Sequence, residues 1–561
     1  VQAGHASLAA MRILLINPPY LSLTSTWGVG HQVPLGLLSI AGPLADAGHT
    51  VRLLDAEARR LSLDSVARAV AAFAPEVVMT GHAGSTPAHA TCLATLRAAR
   101  EAAPGAVTVY GGVHPTYHAA GSLAEAPWLD VVVRGEGEAT TLALVEALAR
   151  GEDPATVPGL VLRRGGQALP TGEAPVIRDL DACRVAWELV EDWDLYRCFG
   201  LGRAVVVQFS RGCPHRCSYC GQYQFWVRWR FRTPARMVEE IVTLHRRHGV
   251  RFVDLADENP TSSKRLWREF LERLAAERLP VRLFATIRAA DIVRDADMLD
   301  LYRAAGIVCV LMGIETTDAG TLAAIRKGST TATDQQAVAL LRRHGILSML
   351  GHIVGFEEER AADYWRALRQ IRLYDPDLLN AMYVTPHRWS DWTAENAGRR
   401  VIQADPTKWD YRHQLLETRH LRPWQVFALV KLTEAVVHLR PRALWRLLRH
   451  PDPVTRQCLR WCFRNSARVW LAEVAEFLFR TRFEKAPRTL AEWFGVAAPA
   501  AMRPDTVPAG GGRSGAAPGG ADAAAAGREP ATAPAGRPPS GTPAARRPGL
   551  VAAGRIATNR P

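Results

Sequence analysis

Twice along this 561-residue chain, short β-branched runs alternate with amphipathic stretches of helical period, a pattern that admits parallel sheets with helical crossovers and little else. The first series reads as strands at 12–17, 51–55, 77–80, 107–110 and 131–133, with helices near 35–47, 63–72, 88–102 and 140–149. Right-handed crossovers then place every loop that follows a strand along one edge of the sheet, where open α/β sheets bind ligands. Those loops carry Pro18-Pro19, Gly81-His82-Ala83-Gly84-Ser85, Gly111-Gly112-Val113-His114-Pro115 and Gly135-Glu136-Gly137-Glu138. A second series gives strands at 205–209, 252–255, 282–286, 308–312, 347–353 and 379–383, and six strand–helix units in succession predict a partial TIM-type barrel. The fold class is therefore α/β. A doubly wound domain covers 11–150, and a connector with a hairpin at Arg164-Gly165-Gly166 covers 151–200. The barrel covers 201–390, and Trp- and Arg-rich helices cover 391–497. Residues 1–10, ahead of Met11, and the Ala, Pro, Gly and Arg stretch 498–561 are expected to be tails, the latter because it has too few large apolar side chains to bury a core.

The net charge of +14 sits apart from these two series. All of it follows residue 410, where 24 Lys and Arg face 10 Asp and Glu, while 1–410 is balanced at 45 of each. No nucleic-acid module is present and the chemistry-bearing domains are neutral, which excludes a nucleic-acid partner. An anionic substrate or membrane surface suits the basic helices better. Segments 424–450 and 456–479 set Trp445, Trp461 and Trp470 among arginines, as at the interface of an anionic membrane. The competing reading is a lid whose Trp face packs on the barrel. No apolar run reaches the roughly 18 residues of a spanning helix, and residues 1–30 lack secretory features, so the expected location is the cytoplasm with peripheral membrane contact as an option.

Of nine cysteines, only three are closely and regularly spaced, in Ser210-Arg211-Gly212-Cys213-Pro214-His215-Arg216-Cys217-Ser218-Tyr219-Cys220, directly after the first barrel strand. An odd count with one such cluster favours metal chemistry over a disulfide framework. Cys92, Cys183, Cys198 and Cys309 read as small buried residues. Cys458 and Cys462, one helical turn apart without a second ligand pair, read as structural. Three thiolates this close hold three irons of a [4Fe-4S] cubane and leave the fourth open to an external ligand. A zinc ion completed by His215 is the alternative, although zinc sites usually pair their cysteines differently. S-adenosylmethionine (SAM) can chelate the open iron through its amino and carboxylate groups. One electron from the reduced cluster then breaks the sulfonium bond to give a 5′-deoxyadenosyl radical.

This spacing, with Tyr219 just before the last cysteine, resembles the radical SAM superfamily. The segment Ala256-Asp257-Glu258-Asn259-Pro260 resembles that family's stretch at the SAM amino group, with two small residues replaced. Arg288 suits the SAM carboxylate and Gly313-Ile314-Glu315 the ribose hydroxyls, a structural salt bridge being the alternative for each. The first sheet resembles the Rossmann-like cobalamin-binding domain fused ahead of radical SAM cores, a bare flavodoxin-like nucleotide domain being the alternative. The Asp-x-His-x-x-Gly motif that supplies an axial histidine to cobalt is absent. His82 is the nearest candidate, against its reading as a hydrogen-bonded loop residue. The corrin is therefore expected to bind base-off, without a histidine ligand, over loops containing Leu35, Gly36, His82, Ser85, Gly111, Gly112 and Gly135.

Longer segments narrow the resemblance. Pro34-Leu-Gly-Leu-Leu-Ser-Ile, Gly111-Gly-Val-His-Pro-Thr-Tyr, Arg134-Gly-Glu-Gly-Glu and Phe209-Ser-Arg-Gly-Cys-Pro recur in related cobalamin enzymes, and Gln224-Phe-Trp accompanies them. Asp375-Pro-Asp-Leu-Leu-Asn-Ala-Met-Tyr-Val-Thr-Pro-His-Arg-Trp and Lys408-Trp-Asp-Tyr are more specific, and with the others they resemble the anaerobic magnesium-protoporphyrin IX monomethyl ester cyclase family of bacteriochlorophyll synthesis, over about 11–494. The resemblance implies an oxygen-independent oxidative cyclisation of a magnesium porphyrin, with water supplying the keto oxygen and a ferredoxin or flavodoxin as electron donor. The unactivated C–H bonds of a propionate ester explain why a radical is needed. A flat apolar macrocycle with a carboxylate edge calls for aromatic faces and cations, and His387, Arg388, Trp389 and Trp392 have those types just past the sixth strand. Packing of the barrel end on the helical domain is the alternative for Trp389 and Trp392. A cobalamin-dependent radical SAM methyltransferase shares both cofactors and is the rival enzyme. A cobalamin-binding sensor without catalysis is the rival from another class, and the intact cysteine triplet speaks against it.

Overall fold

The computed structural model describes residues 9–495 of the chain; the expected 498–561 tail lies outside the described residues, as does most of 1–10. Strand β1 (Arg12–Asn17) shows how the first sheet is built. Ile13 and Leu15 enter one core cluster with Leu37, Leu38 and Leu44, while Leu14 and Ile16 enter another with Val66, Val70 and Leu96. Such two-sided burial is what a central parallel strand with helices on both faces requires. β2 (Thr50–Asp55), β3 (Val77–Thr80), β4 (Val107–Gly111) and β5 (Val131–Val133) complete the parallel part, in the order β2-β1-β3-β4-β5. Helices Leu35–Asp46 and Gly137–Arg150 pack together on one face, Leu63–Phe73 and His89–Ala102 on the other. All five expected strands are present, within one residue at either end.

The hairpin expected in the connector is present but belongs to the first sheet. β6 (Leu160–Arg164) pairs antiparallel with β5, and β7 (Gln167–Pro170) with β6, so the sheet has seven strands and runs past residue 150. β5 is short and buried, and without this partner its open edge would leave backbone groups unpaired.

β8 (Ala204–Val207) starts the second sheet. A two-residue strand, β9 (Ser210–Arg211), then pairs antiparallel with β10 (Arg230–Phe231) and closes the cysteine loop at its base. β11 (Phe252–Leu255), β12 (Arg282–Thr286), β13 (Ile307–Glu315), β14 (Leu347–Val354) and β15 (Leu378–Tyr383) follow, all parallel, in the order β15-β14-β13-β12-β11-β8. This is the six-stranded open barrel expected from the sequence. The helices between its strands end as their sequences dictate: Pro234–His248 begins on proline, carries four basic residues in its last turn, and stops at Gly249 with φ +67°.

After the barrel, a segment from 384 to 422 crosses its carboxyl end, and β16 (Arg400–Val401) in it pairs with β17 (Arg488–Thr489). Helices Pro423–Leu439, Pro441–Arg449 and Pro453–Phe479 follow, each opening on a proline. The last of them plugs the amino-terminal end of the barrel. Cys458, Leu459 and Cys462 pack with Phe199 and with Phe252, Leu347 and Leu378 at the strand starts, and Trp461 stacks on Phe199 at 5.4 Å. The two cysteines are thus core residues. Asp375, a helix cap with φ +54°, receives Arg440 and Arg446, whose nearest contacts are 2.7 and 2.9 Å. Among the described residues, no helix is long and apolar enough to cross a membrane.

Candidate functional site

The carboxyl ends of both sheets face one cavity of about 1010 Å³, at the upper end of the roughly 300–1,000 Å³ usual for small-molecule sites. Its walls are the loops after β1, β3, β4 and β5, the end of the cysteine loop, the ends of the barrel strands, and segment 384–411.

The cysteine loop is fixed from below. Asp257 accepts from the backbone nitrogens of Phe209 (2.9 Å) and Ser210 and from the Ser210 hydroxyl (2.5 Å). Glu258 accepts from Gly212 N at 3.2 Å and Trp226 Nε1 at 2.6 Å, and Asn259 Nδ2 lies 4.0 Å from Cys213 Sγ. The segment expected at the SAM amino group therefore also carries the cluster loop, with both Glu258 oxygens engaged. Gly212 has φ +87°, and a Cβ there would stand 2.7 Å from the Arg228 carbonyl, so only glycine fits. Ser218 N donates to Ile325 O and Trp392 N to Ser218 O, tying the loop to the barrel rim.

Cys217 is buried, Cys213 and Cys220 are half-buried, and His215 is exposed, which leaves the histidine outside the cysteine set. Among the described residues no three His, Cys, Asp or Glu side chains gather around a single-ion position. Burial, with a smaller push from the neighbouring thiolates, raises the Cys213 thiol and brings the Cys220 thiol to about 12. Three closely set sulfurs, one buried and two half-buried, suit a cationic guest such as an iron–sulfur cluster.

Beside the loop, Tyr219 and Glu315 line the cavity. Glu315 ends β13 at φ +60°, past a register shift, and Lys327 Nζ holds it at 2.5 Å. Arg288 donates to Lys327 O at 2.8 Å and lies close enough to Cys213 to favour its thiolate.

All seven loop residues expected under the corrin line the cavity. Gly112 has φ +114° and Gly36 is open, so backbone forms the floor and a flat macrocycle can approach it closely. Ser85, at φ +54°, has a buried hydroxyl without a partner among the described residues, fit for a polar macrocycle substituent. His82 accepts from Gly84 N at Nδ1 (2.8 Å), so Nε2 carries the proton and donates to Glu57 at 2.9 Å. With both nitrogens used it has no lone pair to offer cobalt. Despite the opposing effect of burial, hydrogen bonds from His31 and His82 lower the Glu57 carboxyl to about 2.

The four residues expected at the substrate separate. Trp389 and Trp392 line the cavity but are buried: Trp389 stacks on Tyr117 at 4.5 Å and on His387 at 4.9 Å, and Trp392 lies under Arg399. They are walls more than open faces. Arg388 is not among the lining residues and sits near His118, whose pKa it helps to depress. His387 lines the cavity and meets Tyr411 Oη at 2.6 Å. Sequence reasoning did not assign Tyr411, Glu57 or Tyr20 to the site. Tyr411 lay within the quoted Lys408-Trp-Asp-Tyr segment, the one signal that pointed to it.

The two sheets are locked to each other by charge. Arg211 spans Glu136 (2.8 Å) and Glu138 (2.5 Å), and Arg230 reaches Glu136 at 2.6 Å, all with side chains no more than 12% exposed. The Gly135-Glu136-Gly137-Glu138 turn of the first domain is thereby bound to the residue that precedes Gly212 and Cys213.

Comparison with known proteins bears on both halves. The B12-binding domain model matches residues 29–145 and the radical SAM superfamily model residues 207–371. The anaerobic magnesium-protoporphyrin IX monomethyl ester cyclase of Synechocystis sp. is 48% identical over 486 residues, 87% of this chain and 97% of that protein. The chain belongs to the anaerobic magnesium-protoporphyrin IX monomethyl ester cyclase family. Its Rubrivivax gelatinosus relative of the same name is 35% identical, over 72% of each chain. Among solved structures, the radical SAM methyltransferase TsrM from Kitasatospora setae, with cobalamin and a [4Fe-4S] cluster bound, matches with a TM-score of 0.62 at 17% identity, covering 84% of this chain and all of that one. That likeness is one of fold.

Proposed function

We propose that this member of the cyclase family closes the isocyclic ring of magnesium-protoporphyrin IX monomethyl ester without oxygen, taking the keto oxygen from water. The observation that carries the reading is the 48% identity along nearly the whole Synechocystis cyclase, joined to a cavity shared by a B12-binding sheet and a radical SAM barrel. When bound, the cluster with SAM supplies hydrogen-atom abstraction from an unactivated carbon, and cobalamin supplies a second redox centre. Cys213, Cys217 and Cys220 hold the cluster. Tyr219, Glu258, Arg288 and Glu315 would form the SAM end, Arg288 suited to its carboxylate and Glu315 to its ribose. Leu35, Gly36, Ser85, Gly111, Gly112 and Gly135 would bed the corrin, and His82, with both ring nitrogens engaged, would supply no metal ligand. His387, Trp389 and Trp392 shape the porphyrin end.

Electrons come from a small reductant of the ferredoxin or flavodoxin kind. Peripheral membrane contact is assigned to the exposed Trp445, Leu448 and Leu439, with Arg442 and with Arg449 stacked over Trp445. Arg446, one of the arginines of the same 424–450 segment, is instead held by Asp375. Sedimentation with anionic liposomes at low salt tests this face, and Trp445→Ser with Arg442→Gln should abolish it.

Anaerobic reconstitution followed by mass spectrometry of the porphyrin tests the main reading. A cyclised ketone with deoxyadenosine supports it. A methylated porphyrin with S-adenosylhomocysteine replaces it with methyl transfer.

A further inference from the structure

Addition of water to a carbon releases a proton, so a cyclase that takes its oxygen from water needs a group in the cavity able to accept one. The carboxylates that line the cavity are poor candidates, because each is tied to a partner. Glu57 is gripped by His31 and His82, Glu136 and Glu138 by Arg211, and Glu315 by Lys327. Asp410 Oδ1 accepts from His413 at 2.8 Å and from Arg412 N at 3.0 Å. His82 has both nitrogens engaged.

His387 and Tyr411 differ. Their contact is between neutral groups, 2.6 Å from Nε2 to Oη, and both line the cavity. Tyr411 is held at φ +67°, a conformation non-glycine residues seldom adopt, and keeps 45% of its surface exposed beside the enclosed Trp409. Strain of this kind persists where the surroundings over-determine it, and it gathers at working sites. The β15–Tyr411 pairing, Tyr383 N to Tyr411 O at 2.8 Å, pins the strained backbone to the barrel. His387 is pinned by its stack on Trp389. The pair also joins the two segments, Thr385-Pro386-His387-Arg388-Trp389 and Lys408-Trp409-Asp410-Tyr411, on which the narrower resemblance rests.

We infer that His387 and Tyr411 form the proton-accepting pair for the water that provides the keto oxygen. The inference rests on the proposed cyclase activity. The carbon attacked has already lost a hydrogen atom and one further electron to the radical and redox chemistry of that activity, and is therefore electrophilic. Water donates an oxygen lone pair to it and a C–O bond forms. One water O–H bond breaks and its proton passes to Tyr411 Oη as the phenol proton moves to His387 Nε2. The phenol is regenerated and the imidazole leaves the step as imidazolium. Burial, which lowers His387 to about 4, favours onward loss of that proton.

The test uses reconstituted full-length enzyme in ¹⁸O-water with Tyr411→Phe, His387→Gln and the double variant. Deoxyadenosine and porphyrin products are measured together. The expected result is a fall of about 10²–10⁴ in the ratio of ¹⁸O-labelled product to deoxyadenosine, the usual worth of a positioned acid–base group. In its place an unlabelled porphyrin two hydrogens lighter than substrate should accumulate, because an electrophilic carbon denied water loses a proton from its neighbour. The double variant should match the singles, as members of one unit do. Labelled product at the wild-type rate in either single variant overturns the pair. So does a parallel fall of deoxyadenosine and product, which marks a structural role. A wild-type enzyme that methylates the porphyrin removes the cyclase reading itself, a result distinct from failure of the pair alone.

Discussion

At the cluster end of the cavity, the groups proposed to meet the cofactors come from residues 210–220 and the strand ends beside them, and they are fastened by charge. Arg211 bridges Glu136 and Glu138, Asp257 grips the loop backbone, and Lys327 holds Glu315. At the substrate end, Tyr117, His387, Trp389 and Tyr411 arrive from both domains, and their side chains are fastened by stacked rings and one neutral hydrogen bond. Ion pairs in a dry interior hold a fixed geometry, and removing one partner is costly. Stacked rings tolerate sliding. The contrast fits a molecule whose cofactors stay in place while a flat substrate enters and leaves.

The comparison can be broken at its stiff end first. Replacing any one of Cys213, Cys217 or Cys220 by Ala should reduce deoxyadenosine formation by reconstituted protein to background, read by chromatography. A variant that kept both cluster and SAM cleavage would move the site elsewhere. Arg211→Met should cost about 3–5 kcal/mol, since it leaves Glu136 and Glu138 buried with their cation reduced, and denaturant titration reads that directly. Trp389→Leu should cost less, about 1–3 kcal/mol, while iron and sulfide content stay at wild-type values. If the cluster were lost with the indole, the two ends would not be independent.

A pH dependence separates the ends further. Burial opposes protonation of His413, but the hydrogen bonds it donates to Asp410 and Glu476 raise it to about 9, from an ordinary 6.5. A histidine raised in the folded state stabilises fully below about 6.5 and loses that contribution as pH climbs toward about 9. Hydrogen exchange in 405–413 should therefore quicken between those values, while 210–220 stays protected. The smallest effect is expected at His82. His82→Ala should leave the paramagnetic resonance of the Co(II) cobalamin form nearly unchanged, and loss of a nitrogen-ligand signal would show axial ligation.

Much of the stiff end was legible in the sequence because it is local. The cysteine triplet, its preceding strand and the loops after β1, β3, β4 and β5 are contiguous motifs, and a parallel sheet puts them at one edge wherever its strands lie. The substrate end was legible only in part. His387 was assigned, but Tyr411 depends on a positive φ and a crossing loop that no periodicity reveals. Arg446 looked solvent- or lipid-facing beside Trp445 because its partners, Asp375 and Asp377, lie far back in the chain. The hairpin after residue 150 was recognised, yet its membership in the first sheet follows from the unpaired edge of β5, a tertiary fact.

The lock between Arg211 and the Glu136-Gly137-Glu138 turn has a kinetic consequence. A cavity between two domains is ordinarily filled and emptied by swinging them apart, but here that swing would strip a buried guanidinium from two buried carboxylates at the root of the cysteine loop. Passage of the macrocycle is assigned instead to local opening within segment 384–422, where the ion pairs to be broken include those of Lys408 and His413 with Glu476 and of Arg412 with Glu473, none of them on the cysteine loop. Turnover then keeps time with that segment, on the microsecond-to-millisecond scale of loop motion, while the two sheets stay joined.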